Sequence, residues 1–161
     1  MSGTVSGFPA SRFPLLVCAL ALLLPGLPAI AQPPPAEPAL VRDADDPQLN
    51  WGACPAFLPA GCALAVLHGD PAADNVDVFF RVPGKSYLPA HWHTSAERMI
   101  LVAGEMHVTY EGQEPLLFRQ GSYAYGPPGR AHEATCVSDT PCVLFIAFES
   151  PLDAVPVESA R

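Results

Sequence analysis

Between residues 62 and 149 the apolar side chains arrive in short runs, each closed by turn residues, and this punctuation constrains the fold more than any other feature. The runs cover 62–68, 75–82, 88–94, 97–103, 106–110, 115–119, 122–125, 131–136 and 142–149. None contains a window long enough to carry helical amphipathicity. The spacing therefore predicts an all-β sandwich or barrel.

Side-chain alternation orients these strands. If Glu97 points inward, Met99 and Leu101 follow it, while Arg98, Ile100 and Val102 face outward. Tyr123 and Tyr125 share a face just ahead of the Pro127-Pro128-Gly129 turn, and Met106, Val108 and Tyr110 share another. All are barrel core in the plainest reading. Met99, Leu101, Tyr123 and Tyr125 are the candidates for a pocket wall. Outward-facing Ile100 and Val102 need a cover, from a second sheet or a second subunit.

The reactive groups concentrate in His91-Trp92-His93-Thr94-Ser95-Ala96-Glu97. His91 and His93 point the same way, and Glu97 rejoins them after a short turn. His132, just past the rigid turn, offers a fourth ligand from a facing strand. Imidazole with one carboxylate suits Zn, Fe, Mn, Ni or Cu and is a poor match to Mg or Ca. A lone buried histidine is usually a satisfied core group, and His68 and His107 read that way or as surface residues. Three imidazoles and a carboxylate facing one cavity would instead lose solvation with nothing to bind.

These residues carry a resemblance to the cupins, whose first motif reads G-x5-H-x-H-x3-4-E-x6-G and whose second reads G-x5-P-x-G-x2-H-x3-N. His91, His93, Glu97 and Gly104 match the first, and Gly121, Pro127, Gly129 and His132 match the second. Two positions depart: Gly84 lies six residues before His91 rather than five, and Cys136 stands where the pattern has Asn. The resemblance implies a double-stranded β-helix, or jelly roll, as a single domain over about residues 51–150. It also implies one metal held by His91, His93, Glu97 and His132, and it favours a homodimer.

Ahead of that domain, residues 1–31 pair a single early charge, Arg12, with an apolar run and with Ala29 and Ala31 at the −3 and −1 positions. This describes a signal peptide cleaved between Ala31 and Gln32, for a periplasmic or secreted protein. The alternative is a membrane anchor, but its unbroken apolar core, 15–24, is short for about 30 Å of hydrocarbon. Residues 32–50, rich in Pro, Ala and Asp, read as a flexible arm, or as one that adds to a partner's sheet edge. Residues 151–161 read as a C-terminal tail.

Without Arg12, seven of the eight Lys and Arg remain against sixteen Asp and Glu, a net charge of −9. Phosphate backbones and anionic lipid heads repel such a chain, so neither nucleic acid nor, after cleavage, a membrane is an expected partner. Four cysteines remain, an even number that favours disulfides in an oxidising compartment. Of three connectivities the local one, Cys54 with Cys62 and Cys136 with Cys142, is simplest. The competing reading makes Cys136 a soft metal ligand.

Two functions stay open. By resemblance, mononuclear cupins include dioxygenases, decarboxylases, isomerases and lyases acting on small organic molecules, and Glu97 could leave the metal to act as a base, as the matching glutamate does in flavonol-cleaving cupins. No second acid or base stands out: Glu133 faces away from His132 by alternation, and Tyr123 and Tyr125 are the remaining candidates. The other function is a non-catalytic module holding structural zinc or a small ligand. The stretch LPAGCALAVLHGDP looks like small cupins related to the zinc-holding domains of anti-sigma factors.

Overall fold

The computed structural model describes residues 37–158. The expected signal peptide, its cleavage point and the first part of the arm lie outside these residues. From Ala39 onward the chain forms one compact unit. No helix occurs among the described residues, and the fold is the expected all-β jelly roll.

The described residues form eleven strands in two sheets. In chain order they are β1 (Trp51–Ala53), β2 (Ala63–His68), β3 (Val76–Val82), β4 (Tyr87–Trp92), β5 (Glu97–Ala103), β6 (Glu105–Tyr110), β7 (Leu116–Arg119), β8 (Tyr123–Gly126), β9 (His132–Cys136), β10 (Cys142–Phe148) and β11 (Val155–Pro156). One sheet runs β1-β2-β3-β10-β5-β8 and the other β11-β4-β9-β6-β7, with antiparallel pairing throughout. The core lies between them, where Val76, Val78, Leu101, Met106, Val108, Leu144, Ile146 and Phe148 are buried.

Alternation holds along the strands that matter most. Glu97, Met99 and Leu101 are buried on β5 while Arg98 is exposed, and Met106, Val108 and Tyr110 are buried on β6 while His107 is exposed. Strand β4 carries the one irregularity that reaches the site. Leu88 pairs with Ala134 and His91 with His132, so three steps on β4 answer two on β9. That is a β-bulge at Pro89 and Ala90. Its extra residue accounts for the long spacing between Gly84 and His91.

The ends of the fold differ from expectation. Part of the arm packs: Leu40 and Arg42 border one groove with Phe79, Ile100 and Phe145 on the outer face of the first sheet. Part of the chain's own arm thus borders the groove that Ile100 lines. The supposed tail is also structural, because β11 pairs with β4 and Leu152 packs on the core. Its Val155 and Pro156 pair with Trp92 and His91, which extends the second sheet at the site itself.

Candidate metal centre

Two strands and one corner bring the histidines together. His91 lies one residue before the end of β4, beyond the bulge, His93 lies in the turn to β5, and His132 opens β9 directly opposite both His91 and Tyr110. One ring nitrogen from each lies within 4.8 Å of the others, and all three residues are buried. Among the described residues this is the cluster able to hold a metal ion.

The backbone fixes which nitrogen faces inward. Nδ1 of His91 is 2.8 Å from the Pro89 carbonyl, Nδ1 of His132 is 3.3 Å from the Arg130 carbonyl, and Nδ1 of His93 meets the Asp153 carbonyl. A carbonyl only accepts, so each Nδ1 carries the proton and each Nε2 presents a lone pair. Ligating histidines are oriented in this way by their outer partners.

Glu97 approaches two of the three rings, with Oε1 3.4 Å from Nε2 of His93 and Oε2 3.8 Å from Nε2 of His132. It stands beside the trio rather than completing an even foursome. Ser95 ties the turn ahead of Glu97 to the end of β10: its buried hydroxyl donates to the Ala96 carbonyl at 2.8 Å and accepts the amides of Glu149 and Ser150 at 2.9 and 3.0 Å. The turn before β9 is tied in as well, since the Gly129 amide donates to the His93 carbonyl at 2.8 Å.

Burial sets the charge state. Desolvation lowers His91, and it lowers His93 to about 4 and His132 to about 3. Glu97 is raised to about 8, first by desolvation and then by the charge of Asp153. Without a cation the site is therefore neutral near pH 7. Three lone pairs and a buried carboxyl converge with no positive charge among them, a donor set that fits a divalent transition metal.

A cavity of about 280 Å³ opens beside these groups. Its walls are mostly apolar, from Met99, Met106, Val108, Phe118, Leu144 and Ile146. The loop between β1 and β2 covers one side, where Cys54, Pro55 and Leu58 line the cavity and the Phe57 ring stands 5.8 Å from that of His91. Disulfides join Cys54 to Cys62 and Cys136 to Cys142. Bonded to Cys142, Cys136 has no thiolate to offer a metal.

The pocket candidates divide. Met99 lines the cavity, whereas Leu101 lies further along β5, fully buried in the core opposite Leu144. Tyr123 and Tyr125 do not line it: they are 62% and 51% exposed on the outer face. The inward residues of β8 are Ala124 and Gly126, opposite Met99 and Glu97, and at 126 an added Cβ would crowd Glu97 and Tyr110.

Alternation alone did not single out Tyr110 or Asp153. Tyr110 reaches the site with its ring 5.1 Å from that of His132. Asp153 clamps Thr94, accepting its amide at 2.9 Å and its hydroxyl at 2.8 Å, and lines the cavity. Its only signal in the sequence is that it is the one acid in the otherwise uncharged stretch 151–157.

Comparison with known proteins agrees with this geometry. A family model described as the ChrR cupin-like domain matches residues 44–151. The DMSP lyase DddQ from Ruegeria pomeroyi DSS-3 superposes with a TM-score of 0.58 at 22% identity, over 67% of this chain and 60% of that one. An RmlC-like cupin from Shewanella frigidimarina NCIMB 400 gives 0.53 at 22% identity, over 65% and 86%. The oxalate decarboxylase of Lactobacillus farciminis, in its formate complex, gives 0.56 at 15%, over 68% and 33%. These identities speak for a shared fold, and the chain spans 60% of the length of that lyase. No curated protein sequence matches. With the family match covering most of the barrel, and the jelly roll and its histidine trio in place, the chain belongs to the cupins of the ChrR cupin-like family.

Proposed function

We propose that this chain is an exported mononuclear metal-binding cupin in which His91, His93, His132 and Glu97 hold one divalent transition metal, Fe, Mn, Ni, Cu or Zn, beside a cavity for a small organic molecule. The observation that carries the reading is the set of three Nδ1 contacts to backbone carbonyls, which turn three Nε2 lone pairs toward one another. An ordinary core histidine has no need of that arrangement.

A metal bound there supplies Lewis acidity or O₂ activation, and dioxygenase-like chemistry is the favoured form. The chain's own residues do the rest. The imidazoles are already neutral at pH 7 and need shed no proton to bind. Glu97 must lose one, and a carboxyl raised to about 8 is also suited to take a proton from a substrate. Apolar walls and the disulfide-closed loop over His91 keep bulk water from the reacting end. Export draws on the two disulfides and on the leader-like character of residues 1–31.

A second reading, a module that holds zinc without catalysis, draws on the scarcity of proton carriers. Beyond the histidines, only Glu97, Tyr110 and Asp153 among the lining residues could exchange a proton. Elemental analysis of protein purified from its native compartment separates the two. One equivalent of Fe, Mn, Ni or Cu favours catalysis, and zinc with no exchangeable water favours structure. Replacing His91 by Ala should abolish stoichiometric uptake, and a variant that still binds one equivalent would overturn the metal reading altogether.

A further inference from the structure

Resting on the metal reading above, we propose that the cavity takes a neutral, largely apolar small molecule with a single oxygen headgroup, which the Tyr110 hydroxyl orients at the three-histidine end of the barrel.

Two independent observations point there. The first is the hydroxyl itself, which is buried and has no hydrogen-bond partner. Buried hydroxyls are nearly always satisfied, and one left open beside a cavity is available to a ligand. Its position is defined by register, because Tyr110 pairs with His132 across β6 and β9. Gly126 makes room for it: a Cβ there would sit 2.9 Å from the Tyr110 oxygen and 2.9 Å from Oε2 of Glu97. Any other residue at 126 would crowd both groups.

The second observation is the charge of the wall. Among the described residues, no Lys or Arg lines the cavity, and its acidic groups are Glu97 and Asp153. A ligand with a free carboxylate beyond the metal would lose its hydration and find no cationic side chain in return. The remaining surface is apolar and rewards a hydrocarbon or aromatic body. At about 280 Å³ the space sits near the lower end of small-molecule sites. The chemistry that fits is a compact alcohol, phenol or ketone, and a dicarboxylate does not fit.

The test uses the full chain loaded with zinc, which has no redox chemistry to consume a probe. Isothermal titration compares 4-propylphenol with glutarate, a dianion of similar size. The expected result is that 4-propylphenol binds at least about tenfold more tightly, the reward for desolvating an uncharged body in an apolar pocket. Tyr110→Phe should keep one equivalent of zinc and weaken 4-propylphenol about three- to tenfold, as the loss of one hydrogen bond does. A merely structural tyrosine would lower the melting temperature of the ligand-free protein on losing its hydroxyl. Tyr110→Phe should leave that temperature unchanged or raised, since it removes an unsatisfied group.

Glutarate binding as tightly as 4-propylphenol overturns the proposal, as does a Tyr110→Phe variant with unaltered affinity for the phenol. Zinc uptake without binding of 4-propylphenol also overturns it and leaves the metal reading standing. Failure of the wild-type chain to take up zinc overturns both.

Discussion

The backbone carbonyl of Asp153 accepts the Nδ1 hydrogen of His93 from 60 residues away, while the Asp153 carboxylate clamps the next residue, Thr94, through both its amide and its hydroxyl. One residue from the end of the chain thus fixes the ring orientation and the backbone of a proposed ligand. Loss of such outer partners commonly costs about 10- to 100-fold in metal affinity. Asp153→Ala keeps the carbonyl but frees the Thr94 corner, so a drop of about tenfold is expected. Asp153→Asn, which can still accept from Thr94, should lose much less. Competition against a chelator measures both, and equal losses in the two variants would show that charge rather than the clamp matters.

How far the site was legible in the sequence follows from the range over which each contact acts. His91, His93 and Glu97 lie within seven residues and are aimed by local alternation, so spacing alone grouped them. Asp153 reaches them only because β11 returns to pair with β4, and nothing near residue 153 records that return. Strand β8 misled for another reason. Its large residues, Tyr123 and Tyr125, face solvent, and its small ones, Ala124 and Gly126, face inward, where Glu97 and Tyr110 already fill the space beside Gly126. The usual inference that bulky apolar residues face the core fails where site residues from other strands occupy that interior.

The metal-free protein should be most stable near pH 6.5. The histidines bind protons at about 6.5 when unfolded but only near 4 for His93 and 3 for His132 when folded. The unfolded chain therefore holds more protons below pH 6.5, and stability falls as pH drops from 6.5 toward those values. Glu97 has the opposite sign: raised from 4.5 to about 8, it is protonated longer in the folded state, and its contribution is lost as pH climbs through that interval. Below pH 6.5 the histidines outnumber it, and above pH 6.5 it acts alone. A melting profile of chelator-treated protein should rise to about pH 6.5 and then decline gently to pH 8. Glu97→Gln should remove the decline and leave the acid limb, and an unaltered alkaline limb would show that Glu97 is not the group responsible.

The disulfide between Cys54 and Cys62 holds the loop that covers the cavity, with Pro55 and Leu58 on its wall and Phe57 beside His91. Closing so short a loop contributes on the order of 2 to 3 kcal/mol. Replacing both cysteines by serine should remove about that much stability in denaturant titration. It should also free the cover to move, so that bound metal passes to a chelator several-fold faster. The pair Cys136 and Cys142 closes a hairpin at the far end of β9 from His132, and its removal should destabilise the fold without the same gain in release rate. Equal acceleration in the two variants would mean that global loosening, not the cover, controls escape.

Whether Glu97 is a ligand or only a neighbour of the histidines can be decided through Gly126. An added Cβ would stand 2.9 Å from Oε2 of Glu97 and from the Tyr110 hydroxyl, closer than such contacts allow, so both side chains must shift. Neither Glu97 nor Tyr110 need move far, and the fold should survive. If Glu97 binds the metal, Gly126→Ala should weaken uptake markedly, and most of that loss should vanish in a Glu97→Ala background, where the crowded oxygen is gone. Two changes that act through one contact are non-additive, whereas independent sites add to within about 0.5 kcal/mol. A full double-mutant cycle on metal affinity therefore reads the ligand role directly. Strict additivity would leave the three histidines as the whole of the protein's ligand set.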